Sequence, residues 1–302
     1  TLLKSNKILH YIIPFFIGLI SSYSLPPYNF YFINFFTFPT LIFFLISNRS
    51  RGKWISFIIG WMFGFGYFIS SLYWLINALT FEEAFKPLIP FALILVPLFL
   101  GIFYGLATLG SFLVGLKKNI SSIIIFSTFF SLLEYLRSFI FGGFPWNLIV
   151  YSLTDNLPSI QILSFIGTYS LNLLVITVFL IPSTIFFNYS TSSKIFLLFS
   201  TLLVISINFV FGNSIIKNYN KVDEIKLDSI IKVVSPKIDI NRFFQNENPE
   251  EIILDLIKIS KPNKSKKTIF IFPEGVLSNI YLQDLKKYIH TFSDNFSNKH
   301  KI

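Results

Sequence analysis

Two carboxylates stand where their surroundings could give them chemistry to do. The first is Glu274, in the segment 268–277, TIFIFPEGVL. Thr268 to Phe272 are β-branched or aromatic and read as a buried strand. Pro273 cannot donate to a sheet ladder, so pairing should stop there, and Gly275 lets the chain turn. Glu274 is thereby offered at the mouth of a strand, a place suited to a general base. The competing reading is a solvated turn glutamate. The second carboxylate is Glu134, three residues before Arg137 near the end of a long apolar run. Residues three apart share a helical face and can pair. Ionisable groups at membrane depth are functional candidates, and a structural ion pair is the alternative.

The elements that must position these residues divide the chain in two. Of its 302 residues 53% are hydrophobic and 19% aromatic, Phe alone supplies 39, and mean hydropathy is +0.65. Only 13% are charged, about half the usual ~25% of a soluble domain. This composition specifies a polytopic membrane protein. The net charge of +10 is scattered between apolar runs, which fits loop charges that set orientation and argues against nucleic acid as a partner. There is no cysteine, which excludes disulfides, thiolate metal sites and a cysteine nucleophile within these residues. His10, His290 and His300 have no metal-ligand spacing, so no metal and no cofactor is expected.

Seven apolar runs are expected to be transmembrane helices: about 8–25, 30–47, 54–77, 88–116, 120–141, 159–187 and 195–211. The third carries Gly60, Gly64 and Gly66, small residues that let helices approach closely in lipid. Tyr73 and Trp74 at its far end suit the interfacial aromatic belt. Between the fifth and sixth runs lies GGFPWNLIVYS, 142–152, where glycines and proline break the helix and Phe144, Trp146 and Tyr151 suit the headgroup region. Two readings stand for it: a lipid-facing lip, and an interfacial anchor. Lys4, Lys7, Arg49, Arg51, Lys53, Lys117, Lys118 and Lys194 all fall on one side, so the N-terminus is expected in the cytoplasm and residues after 212 outside.

Composition shifts at that point. Residues 213–302 hold 15 of the 25 Lys/Arg and 11 of the 15 Asp/Glu, and read as strand (229–235), helix (249–260), strand (268–272) and helix (280–292). This is the start of an α/β domain with a mostly parallel sheet. The expected domains are thus 1–212, a membrane bundle, and 213–302, the first part of a water-soluble domain. The chain starts at Thr1 and stops at the entrance to a further strand, so it is expected to be a fragment.

GWMFGFGYFISSLYWL (60–75), EYLRSFIFGGFPWNLIVYS (134–152) and the strand ending in FPEGVL, in this order and spacing, resemble the bacterial apolipoprotein N-acyltransferases over nearly the whole chain. The resemblance implies a transmembrane bundle followed by a periplasmic nitrilase-like (carbon–nitrogen hydrolase) α-β-β-α domain in the inner membrane. It implies transfer of an acyl chain from a phospholipid, through an enzyme thioester, to the N-terminal diacylglyceryl-cysteine of an apolipoprotein. The family's triad is Glu, Lys and Cys; Glu274 matches the Glu, and the Lys and Cys would lie past Ile302. Phe144, Trp146 and Phe244 are the residues through which lipid contact is implied. The chain departs from the family where Val234-Ser235-Pro236-Lys237-Ile238 replaces a V-Q-P-N-I pattern, and where Phe244 stands for a tryptophan. Two other classes compete: a non-catalytic transporter or scaffold with a small external domain, and another nitrilase-type amidase or acyltransferase.

Overall fold

The computed structural model describes residues 9–80, 82–187, 189–219, 228–236, 248–277, 281 and 283–301. They form two compact units, Thr1–Val222 and Asp223–Ile302. Phe244 lies outside the described residues.

The first unit is helical: α1 (Leu9–Ser22), α2 (Asn34–Ser47), α3 (Lys53–Ser71), α4 (Ile89–Val114), α5 (Ile120–Arg137), two single turns α6 (Leu157–Ile160) and α7 (Leu163–Ile166), α8 (Thr168–Leu180) and α9 (Thr191–Tyr219). Every expected span has a helix at its place. Among the described residues, five segments, Lys53–Ser71, Glu83–Val114, Ile120–Arg137, Thr168–Phe186 and Thr191–Tyr219, are long and apolar enough to cross a membrane. α1 and α2 have 14 residues each, about 21 Å of helix against a hydrocarbon core of about 30 Å. The third span ends at Ser71 and continues as a 3₁₀ turn, Tyr73–Leu79. The sixth is not one helix: Gly167, at φ +76°, separates α7 from α8. The last runs past Gly212 to Tyr219.

Small residues pack α3 between α1 and α4. A methyl group on Gly66 would meet the Phe15 carbonyl oxygen of α1 at 2.0 Å, and one on Gly64 the Gly101 Cα of α4 at 2.7 Å. Helices this close gain dispersion contacts, the available driving force where lipid is as apolar as the side chains. The interior between α2, α3, α4 and α5 is aromatic: Tyr104 and Phe130 have ring centroids 4.3 Å apart, Phe38 and Phe130 5.5 Å, Phe38 and Phe63 5.9 Å. The outer faces are apolar too; Phe91, Leu95, Phe196 and Phe199 are all exposed. Such surfaces fit a hydrocarbon solvent and not water.

The second unit holds a parallel three-stranded sheet, order β1 (Ile230–Val233), β2 (Thr268–Ile271), β3 (His300–Lys301). Parallel pairing needs crossover connections, supplied here by α10 (Pro249–Ser260) and α11 (Ile289–Asn295). α10 covers the expected residues. Asn248 caps it by accepting from the Glu250 N–H at 3.1 Å, Pro249 occupies the first turn, and Ile253 and Ile257 pack with Val234, Phe270 and Phe296. α11 is shorter than expected and is preceded by a 3₁₀ turn, Asp284–Tyr288.

Candidate functional site

In the bundle, the carboxylate and guanidinium singled out by their spacing are both buried, Glu134 at 0% and Arg137 at 1% exposure. α5 places them one above the other, with Arg137 Nη2 3.7 Å from Glu134 Oε1. The carboxylate accepts from the Tyr104 hydroxyl of α4 at 2.7 Å and from the Asn172 amide of α8 at 2.5 Å. Arg137 Nη1 donates to the carbonyl oxygens of Phe144 (2.8 Å) and Trp146 (2.9 Å). The guanidinium lies 5.1 Å from the Phe68 ring centroid and 5.6 Å from that of Phe144, within reach of cation–π attraction to both.

These bonds shape the loop that carries the expected aromatic residues. Asn147 takes a left-handed conformation (φ 56°), one that asparagine tolerates. Its carbonyl accepts from the Tyr67 hydroxyl at 3.1 Å, and its side-chain amide donates to the Ser71 carbonyl at 3.4 Å. Tyr151 donates to the Pro145 carbonyl at 3.2 Å. Burial first, then the neighbouring Tyr169 and Glu134, hold its phenol above the ordinary value, so it remains a neutral donor.

Phe144 and Trp146 come together, ring centroids 5.8 Å apart. Phe144 is half-buried against the core; Trp146 is 51% exposed and stacks on Trp74, centroids 5.2 Å apart and planes at 28°. Beside the pair opens a cleft of about 430 Å³ whose lining includes Pro26, Pro27, Ser71, Trp74, Asn147 and Tyr151. Its walls are uncharged and bear hydroxyl, amide and aromatic groups, a surface that offers both hydrogen bonds and stacking.

Sequence reasoning did not find Tyr67, Tyr104 and Asn172. The available signal was their polarity inside apolar runs: Asn172 is the lone amide of TYSLNLLVITVFL. Their partners lie 30 or more residues away, which periodicity does not reveal.

In the second unit, β2 is the central strand and ends at Ile271, one residue before the expected limit. Phe272 is half-buried against the local core, while Pro273, Glu274 and Gly275 are exposed, with Gly275 at φ +77°. Glu274 therefore sits in the turn after the carboxyl end of a central parallel strand, the usual position of ligand sites in such sheets. Among the described residues, no group of three or more His, Asp or Glu side chains is placed to hold a metal ion.

The family model of the apolipoprotein N-acyltransferase N-terminal domain matches residues 17–181, more than half of the chain. The chain belongs to this family. An apolipoprotein N-acyltransferase of Allorhizobium ampelinum is 37% identical over 174 residues, covering 55% of this chain and 33% of that protein. One of Agrobacterium fabrum is 29% identical over 280 residues, covering 88% and 52% respectively. One of Rhizobium rhizogenes is 36% identical over 175 residues, covering 55% and 32%. The matched part thus spans from about a third to about half of these relatives' length. The Agrobacterium match covers more of the chain than the first unit comprises, so similarity to this acyltransferase family extends into the second unit.

Proposed function

We propose that this chain is the membrane bundle and the first part of the nitrilase-like domain of an apolipoprotein N-acyltransferase. The observation that carries this reading is the Agrobacterium match, which takes in 88% of the chain and therefore both units. In this reading seven helices cross the bacterial inner membrane from a cytoplasmic N-terminus, and the second unit is periplasmic. Glu274 is the general base. Its lysine and cysteine partners belong to the part of the relatives' length that this chain does not span.

The chemistry divides into two acyl transfers. Glu274 takes the proton of the cysteine thiol, the thiolate attacks the ester carbonyl of a phospholipid, and a carbon–sulfur bond forms. The lysine stabilises the oxyanion. As that intermediate collapses, the carbon–oxygen ester bond breaks, and the departing lysophospholipid alkoxide receives the proton from Glu274. In the second half the α-amine of the diacylglyceryl-cysteine attacks the thioester. Glu274 takes the amine proton and returns it to the departing thiolate, leaving an amide and the free enzyme. The aromatic loop with Phe144 and Trp146 is the lip over which the acyl chain enters; Phe244 is the third residue proposed for lipid contact.

The test uses the full-length protein of the source, purified and incubated with phosphatidylethanolamine radiolabelled in its acyl chains and a diacylglyceryl-cysteine lipopeptide. Label moving first to a hydroxylamine-sensitive protein adduct and then to the peptide amine supports the reading. Absence of both products from folded protein contradicts it.

A further inference from the structure

The Glu134–Arg137 pair is unused by the chemistry above, yet it is buried at the end of a membrane helix, where ionisable groups are costly. An apolar pair of similar volume would often be as stable. The pair's contacts show what it adds. Arg137 holds the first half of the loop 143–150 through the carbonyls of Phe144 and Trp146. Glu134 holds the second half through Asn172, whose side-chain oxygen accepts from the Val150 N–H at 2.8 Å while its amide donates to the carboxylate. Both ends of the loop are thus fastened to one carboxylate and one guanidinium. By contrast, the Gly66–Phe15 and Gly64–Gly101 approaches and the Phe38–Phe63–Phe130 rings join the helices without involving either charge.

We infer that Glu134 and Arg137 are positioning residues for the aromatic lip: they fix the loop so that Trp146 stands against Trp74 beside the uncharged cleft. The inference rests on the reading of that lip as the lipid entrance only for its functional consequence; the clamp itself is a statement about geometry. Arg137 suits the task because one terminal nitrogen, Nη1, serves both carbonyls while the other, Nη2, is left to face Glu134. Lysine at 137 would keep the charge but has a single nitrogen, which cannot serve the two carbonyls and face Glu134 from two separate points. Glutamine at 134 would keep an acceptor for Tyr104 and lose the charge.

The test reads the loop directly. Two stacked indoles give an exciton couplet in circular dichroism, assigned here by its loss in both Trp74→Phe and Trp146→Phe. Arg137→Lys and Glu134→Gln are placed in phosphatidylcholine nanodiscs beside the unaltered chain. The expected result is native helix content with loss of the couplet in both variants. An unchanged couplet in folded variants overturns the inference. Collapse of helix content in both also overturns it, because the pair would then hold the bundle and not the loop. In the full-length enzyme the same variants should raise KM for phospholipid about tenfold with kcat nearly unchanged. If the couplet is lost and KM does not move, the clamp stands and the lipid-entrance reading fails.

Discussion

Trp146 stacks on Trp74, joining the loop after α5 to the turn after α3 with ring centroids 5.2 Å apart. Offset aromatic stacking adds about 0.5–1.5 kcal/mol beyond area burial, enough to bias an exposed ring toward one orientation. Both rings remain partly exposed, so the pair forms a surface that a lipid chain can meet.

Removing the ring should therefore affect substrate more than folding. Trp146→Ala in the full-length enzyme is expected to raise KM for phospholipid several-fold without reducing the yield of folded protein. Reduced folded protein at unchanged KM would make the ring an interfacial anchor instead. Steady-state kinetics over a range of phospholipid in mixed micelles, with protein recovered by size exclusion, separates the two.

Breaking the buried pair from one side should be costlier than altering it. Arg137→Ala leaves Glu134 without its cation and frees two loop carbonyls, with an expected loss of about 3–5 kcal/mol. Arg137→Lys should lose less than half of that. Reversible unfolding in mixed detergent micelles measures both; equal losses would contradict the role given to the charge.

The packing of α3 makes a sharper demand on side-chain size. Gly66→Val would push two methyl groups into the Phe15 carbonyl of α1, where the nearest contact is already 2.0 Å for a single Cβ. The expected cost is about 1–3 kcal/mol or more, with α1 displaced. Gly52→Ala has nothing within 4 Å of the new carbon and tests backbone strain alone, since Gly52 sits at φ +95°. Comparing the two unfolding midpoints separates crowding from conformation.

In the second unit, Asn248→Ala removes the side-chain oxygen that caps α10. The expected loss is about 1 kcal/mol, with Asn248→Asp close to neutral. Urea unfolding of the full-length protein, followed by a probe on α10, gives the difference.

How much of this was legible depended on whether the signal was local. α10 could be placed residue by residue because Pro249 marks its start and Ile252, Ile253, Leu256 and Ile257 mark one face. The parallel sheet followed from strands separated by helices. The apolar runs located the helices of the first unit, but their ends shifted wherever a 3₁₀ turn absorbed the boundary, as after Ser71. Gly167 was visible inside the sixth run, yet only the folded chain shows that it separates two helices. The Glu134–Arg137 pair was readable because it lies within one helical turn. Its partners Tyr104 and Asn172, and the meeting of Trp74 with Trp146, arise from contacts between distant helices that no periodicity encodes.

Glu274 stands at the centre of the account, exposed in the turn after β2. The most direct measurement is acyl transfer by the full-length enzyme carrying Glu274→Gln, with phospholipid and a diacylglyceryl-cysteine lipopeptide. Glutamine keeps the shape and cannot take a proton. If Glu274 is the base, both thioester formation and peptide acylation are lost by at least ~100-fold, the low end of general acid–base contributions, with membrane insertion and folding unchanged. Near-native rates in that variant would contradict the assignment of Glu274 as the base.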